Sequence, residues 1–249
     1  MTNNAVVQLF AYDEPDVITS TMVQYAETPV PEHWSIDYQA WVTPAESHQT
    51  VEAAKRHPQF SYMSAPKGKL ATRNTAHNWA FNRSYDVVIT ADADEPPFRD
   101  DYFAELLAPF QRGSVLAVTG WPKNTGLSAP VTTVARRLDE TRRPIRANCS
   151  ALSEIAWRYA GPFRVDDVDQ TDITSVRREE EFDFRRRIED VGEVVEQRSA
   201  QVHANNRRML SKVYDALSPL GGSDLGHAAS RGAKTFAPAE KRDDSEQDK

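Results

Sequence analysis

The chain of 249 residues carries one cysteine, Cys149, so an internal disulfide and a zinc site built on several thiolates are both excluded. It also lacks any apolar run approaching the ~18 to 20 residues that cross a bilayer. The polar N-terminal stretch shows no signal-peptide pattern, so a soluble cytoplasmic protein is expected. Positive charge is in short supply: 30 Lys and Arg stand against 37 Asp and Glu, a formal net charge of −7 that argues against nonspecific nucleic-acid binding. With 10 glycines there is no clear Gly-rich phosphate loop, and no internal repeat is visible. What is present is 39% hydrophobic residues, enough to bury a sizeable core in one α/β domain.

Hydrophobic periodicity predicts a strand over 5–12, a turn at Asp13-Glu14-Pro15-Asp16, and a helix from 17 to about 26 with Asp16 as its N-cap. A strand over 35–42, a helix capped by Ser47 and reaching about 57, a short strand over 60–63 and a helix over 70–81 follow. Beyond them come a strand ending near Asp92, a helix capped by Asp100 or Asp101, a strand over 114–119, a helix within 145–163, a helix over 179–191 and a return strand over 194–202. Such alternation builds a mostly parallel sheet through right-handed crossovers. Past about 217 the chain turns to Gly, Ala, Ser and charge and is expected to be a flexible tail, leaving 1–216 as the single folded domain.

The richest stretch is Asp86-Val87-Val88-Ile89-Thr90-Ala91-Asp92-Ala93-Asp94-Glu95-Pro96-Pro97. A continuous β-branched run fits a strand covered on both faces, and ligands of open α/β sheets collect beyond the carboxyl ends of such strands. Asp92 and Asp94, at i and i+2, leave a straight strand on one face, and a turn there aims both at one hard cation such as Mg²⁺ or Mn²⁺. The alternative is a solvated strand-to-turn junction, since Asp and Pro are ordinary turn residues.

Five ordered segments resemble the family 2 glycosyltransferases of GT-A fold, over about 5–210. Ala11-Tyr12-Asp13-Glu14 resembles the first-strand A-Y-N-E turn; Lys67-Gly68-Lys69-Leu70-Ala71-Thr72-Arg73-Asn74 resembles G-K-x-x-A-x-N; and Asp92-Ala93-Asp94 resembles the D-x-D metal motif. Arg146-Ala147-Asn148-Cys149-Ser150-Ala151-Leu152 with Ala160-Gly161-Pro162-Phe163 resembles the acceptor-side G-x-N-x-A-x-R and G-G-F region, and Glu180-Glu181-Phe182-Asp183-Phe184 resembles E-D-x-D-L. Two departures stand out: Asp13 replaces the usual Asn, and Val42-Thr43-Pro44-Ala45-Glu46-Ser47 replaces the usual D-D-G-S, which leaves the nucleobase open.

The resemblance implies a Rossmann-like, mostly parallel mixed sheet flanked by helices. It also implies inverting transfer of a hexose-type sugar from a nucleoside-diphosphate sugar to a glycan or polyprenyl-lipid-linked acceptor. In this reading Asp92, Asp94 and His203 hold Mn²⁺ or Mg²⁺. Ala11, Tyr12, Glu14, Lys69, Arg73, Asn74, Asp92 and Arg207 contact the donor. Glu181 is the catalytic base, in place of the family's Asp, and Trp121, Asn148, Glu180 and Asp183 line the acceptor side. Asp166-Asp167-Val168-Asp169 offers a rival register with Asp167 as base, but it sets Gly192 and His203 about a dozen residues too far downstream for the family spacing. Contact with a membrane is expected to be peripheral, at its inner face. Two other readings stay open: a sugar-phosphate nucleotidyltransferase, and a catalytically silent GT-A relative that binds glycans or acts as a scaffold.

Overall fold

The computed structural model describes residues 2–43, 48–123, 145, 149–164 and 173–203. The described elements run β1 (Asn3–Ala11), α1 (Pro15–Glu27), β2 (Trp34–Val42), α2 (His48–Arg56), β3 (Phe60–Ser64), α3 (Lys69–Phe81), β4 (Val87–Asp92) and α4 (Tyr102–Leu107). A 3₁₀ turn at Ala108–Gln111 leads on to β5 (Val115–Lys123), β6 (Cys149–Ser153), α5 (Glu154–Ala160), α6 (Ile173–Glu189) and β7 (Glu193–His203). They form one seven-stranded sheet in the order β3-β2-β1-β4-β6-β5-β7. Every neighbouring pair is parallel except those that β6 makes with β4 and β5.

Burial explains why the central strands are so apolar. Along β1 the side chains of Ala5, Val7 and Leu9 join one core, while Val6 joins the core on the opposite face of the sheet. A strand covered on both sides has no face turned to water, so the period-2 alternation vanishes. The first core packs Ile18, Met22 and Tyr25 of α1 with Tyr102, Phe103, Leu106 and Leu107 of α4. The second packs Ala80 and Phe81 of α3 with Trp157 of α5 and Phe184 and Ile188 of α6. Each large side chain removed from water in this way contributes on the order of 1.5–3 kcal/mol. Where β5 meets β7 the backbones approach so closely that a Cβ on Gly120 would lie 2.6 Å from the carbonyl oxygen of Ala200.

Several expectations need correcting. Helix α1 begins at Pro15, so Asp16 lies in its first turn and Glu14 takes the N-cap position without a side-chain cap bond. Proline is preorganised for the first helical position, which outcompetes the Asp16 cap. Asp101 does sit at the N-cap of α4, yet its carboxylate makes no cap bond and is held instead by the guanidinium of Arg99, at 2.8 and 2.6 Å. The helix expected within 145–163 is confined to α5, because Cys149–Ser153 forms a strand between β4 and β5. That strand is short and rich in Ser and Ala, so its β character comes from its neighbours rather than from propensity. Ser153 ends it by capping α5, its hydroxyl accepting the Ala156 N–H at 3.1 Å. Ser47 and the segment 217–249 lie outside the described residues.

Candidate active site

Strand β4 ends at Asp92, and a turn follows in which the Glu95 N–H donates to the Asp92 carbonyl at 3.1 Å. Asp94 is half-buried within that turn. The next residues are stitched to the end of β7: the Phe98 N–H donates to the Gln201 carbonyl at 2.8 Å, Pro97 bridges Val202, and the His203 N–H donates to the Pro96 carbonyl at 2.8 Å. The end of β7 is thereby placed against the D-x-D turn from more than a hundred residues away in sequence. The His203 ring packs edge-on to Phe98 at 4.7 Å. Burial, and then the nearby Lys123 ammonium, push its pKa below the ordinary histidine value, so the imidazole is neutral at pH 7.

Opposite this turn stands the N-terminus of α3. Gly68 precedes it with φ +99°, a conformation that side-chain-bearing residues rarely adopt, and gives the chain its sharp entry into the helix. Lys69 and Arg73, four residues apart, share one helix face and both reach Asp92. Lys69 Nζ lies 3.2 Å from Asp92 Oδ2, and Arg73 Nη2 lies 3.4 Å from Oδ1. Arg73 is fully buried, its guanidinium 5.6 Å from the Phe10 ring centroid, and its Nη1 stands 3.7 Å from Oε1 of Glu181 on α6. Two cations at the positive end of a helix dipole oppose that dipole, and the carboxylates of Asp92 and Glu181 offset them.

Thus Lys69, Arg73, Asp92 and Glu181 form one connected set, and His203 joins the Asp94 turn through the backbone. Other expected site residues are engaged elsewhere. Asn74 donates through Nδ2 to the Phe163 carbonyl at 2.8 Å and accepts the Phe163 N–H through Oδ1 at 2.9 Å, so both ends of its amide hold main chain. Glu180 accepts the Arg164 N–H at 2.5 Å and pairs with Arg187 at 2.9 Å, while Asp183 pairs with Arg186 at 2.7 Å and Arg187 at 3.0 Å. Glu14 folds back to accept the Tyr12 N–H at 3.0 Å, tightening the turn after Ala11, and Tyr12 itself is exposed. Trp121 is half-buried on β5 with the Arg198 guanidinium 5.6 Å from its ring centroid. Trp157 is a core residue whose indole N–H donates to Asn78 at 2.8 Å. Asn148, Asp167 and Arg207 lie outside the described residues.

Sequence reasoning missed a buried polar chain behind the site. The Trp41 indole N–H donates to Gln39 at 3.0 Å, Gln8 donates to Gln39 at 3.3 Å and to the Ala76 carbonyl at 2.7 Å, and His77 Nδ1 meets Gln8 Oε1 at 2.8 Å. Since the Gln8 amide nitrogen is committed as donor, its oxygen accepts and His77 carries its proton on Nδ1. Burial, with the Arg73 charge added, pushes the His77 pKa down to about 3. The available signal was a glutamine beside apolar residues in each of two strands, Val7-Gln8-Leu9 and Gln39-Ala40-Trp41, which is costly once buried unless partnered.

Among the described residues, no three His, Cys, Asp or Glu side chains converge into a ready-made metal cage. By residue type alone, the expected ligands suit a hard or borderline divalent ion that takes few protein ligands: carboxylates at Asp92 and Asp94 and a neutral imidazole at His203, with Asp92 already shared between two cations.

No family model matches the chain, and no curated protein matches it in sequence. Solved structures do match in fold. A mannosyltransferase from Pyrobaculum calidifontis in complex with GDP-Man and Mn²⁺ superposes with a TM-score of 0.63 at 16% identity, covering 82% of this chain and 57% of that one. Glucosyl-3-phosphoglycerate synthase from Mycobacterium tuberculosis, in complex with Mn²⁺, UDP-Glc and phosphoglyceric acid, gives 0.54 at 15% identity, covering 82% and 72%. Mannosyl-3-phosphoglycerate synthase from Rubrobacter xylanophilus gives 0.50 at 14% identity, covering 88% and 72%. The chain thus spans a little over half the length of the mannosyltransferase. The fold is GT-A: a mixed, mostly parallel seven-stranded sheet with helices on both faces.

Proposed function

We propose that the protein is a metal-dependent, inverting glycosyltransferase. It moves a sugar from a nucleoside-diphosphate donor to a hydroxyl of a glycan or lipid-linked acceptor. The observation that supports this most strongly is the joining, around Asp92, of the D-x-D turn, two cations from one helix N-terminus and the carboxylate of Glu181. The solved structures with GDP-Man or UDP-Glc and Mn²⁺ support the donor class.

In the proposed reaction the acceptor oxygen attacks the anomeric carbon from the face opposite the diphosphate. The new C–O bond forms as the bond to the departing phosphate oxygen breaks, and the acceptor proton passes to the Glu181 carboxylate. Asp94 and His203, with Asp92 beside them, would hold the divalent ion, which when bound neutralises charge growing on the leaving diphosphate. Lys69 adds a mobile positive charge at the same corner, and the N-terminus of α3 contributes its dipole. Tyr12 and Glu14 frame the donor from the first turn, and Trp121 offers a ring face on the acceptor side.

The test is release of nucleoside diphosphate from a panel of GDP- and UDP-sugars with Mn²⁺. Acceptors would include oligosaccharides, a polyprenyl phosphate and phosphoglyceric acid. Acceptor-stimulated release that disappears in Glu181→Gln, with donor binding retained, is the expected result. Full turnover by Glu181→Gln would sink the base assignment.

A further inference from the structure

Arg73 is the largest fully buried side chain of the described residues, and its fork opens in two directions, to Asp92 at 3.4 Å and to Glu181 at 3.7 Å. A guanidinium is planar, permanently charged and able to serve two carboxylates at once, whereas an ammonium is a point charge. Out of contact with water, it has no solvated position to swing to. Lys69, one turn earlier, touches the same Asp92 from a side chain 29% exposed, on the solvent side of the pair. Two cations on one helix face therefore differ in setting: the outer one meets solvent, and the inner one does not.

The same helix grips α6 a second time. Asn74 locks the main chain of Phe163 on both its N–H and its carbonyl. The next residue, Arg164, donates its N–H to Glu180 at 2.5 Å. Arg187 reinforces the strap, its guanidinium reaching Glu180 and the carbonyls of Ala160 and Pro162. Residues 180 and 181 are thus placed by neighbouring residues of α3, one through a strap of main chain and one directly by Arg73.

We propose that Arg73 is a positioning residue rather than a donor contact: it ties Glu181 to Asp92 and so fixes the acceptor-side carboxylate relative to the strand that carries the donor site. The extra methylene of Glu181, relative to aspartate, is what lets the carboxylate reach the buried guanidinium from α6. This rests on the glycosyltransferase reading for its catalytic consequence, but the tether itself does not.

A double-mutant cycle on the full chain separates the two, with Arg73→Lys and Glu181→Gln made singly and together and read by kcat, donor KM and thermal unfolding. Arg73→Lys should lower kcat about 10²-fold with donor KM changed less than about threefold, because Lys69 still holds Asp92 while one ammonium cannot span both carboxylates. In the Glu181→Gln background the same change should alter the residual rate by less than about threefold, and the loss in Tm should be smaller than in the wild-type background. A raised donor KM with unchanged kcat would make Arg73 a donor contact and overturn the proposal, as would rate effects that multiply or Tm losses that add. If Arg73→Lys does not fold, Glu181→Asp decides: the tether predicts that kcat and Tm fall together, and an unchanged Tm refutes it. Failure of the wild-type protein to release nucleoside diphosphate from any donor would remove the catalytic role, and coupling in Tm would still show or refute the tether.

Discussion

The main-chain N–H of His203 donates to the carbonyl oxygen of Pro96 at 2.8 Å, two residues past Asp94. That bond fastens the last strand of the sheet to the turn carrying the D-x-D carboxylates. It brings the main chain of His203, near the end of the described residues, beside the turn that follows β4. Because the contact is between main-chain atoms, it survives side-chain substitution, so His203 and Asp94 can be changed singly without dismantling the junction.

Asp94→Ala should weaken metal-dependent nucleotide binding by at least ~10²-fold, equivalent to about 2.7 kcal/mol. His203→Gln should weaken it less, since an amide oxygen remains able to face a hard cation. Calorimetry with and without chelator reads both, and binding by Asp94→Ala at wild-type strength would remove the D-x-D turn from the metal site.

Lys69→Met should raise donor KM about tenfold while leaving kcat near its wild-type value, because the ammonium contributes to diphosphate binding from a partly exposed position. Steady-state kinetics with the best donor decide this, and an unchanged KM would count against donor contact at the N-terminus of α3.

Asn74→Ala should cost about 2 kcal/mol, since it strands an N–H and a carbonyl of Phe163 that the amide now satisfies. For a chain of this size that is a fall in Tm of several degrees. A Tm within a degree of wild type would mean that water replaces the amide without penalty.

Acid should destabilise the protein through His77. Its folded pKa of about 3 lies below the unfolded value near 6.5, so the unfolded state binds the extra proton and stability falls as pH drops below about 6.5. The slope is at most about 1.4 kcal/mol per pH unit from this group, continuing toward pH 3. His203 and His57, both lowered by burial, act in the same direction. His77→Gln should flatten the dependence between pH 6.5 and 5 in denaturant titrations, and an unchanged slope would contradict the buried neutral imidazole.

Much of the fold was legible because the parallel strands write their double burial as continuous apolar runs: 87–91 reads as a strand from sequence and is β4 in the structure. Strand β6 was not legible, because Cys149-Ser150-Ala151-Leu152-Ser153 has neither β-branched residues nor alternation, and only pairing with β4 and β5 makes it a strand. At the site, the segments carrying Lys69, Arg73, Asp92 and Glu181 were readable as motifs. That Asn74 would spend its amide on Phe163, 89 residues away, was not, because a long-range side-chain to main-chain bond leaves no periodic trace. The Gln8 and His77 pair was hidden for the same reason, each being an ordinary residue until its partner is known.

The most direct test of the central claim is calorimetric titration of UDP, GDP and their sugar conjugates into the full chain, first with Mn²⁺ and then with excess chelator. Micromolar-range binding of one nucleotide family, on the order of −8 kcal/mol, that is lost with chelator is the predicted result. Absence of binding to every nucleotide by protein shown to be folded, or binding indifferent to chelator, would contradict it.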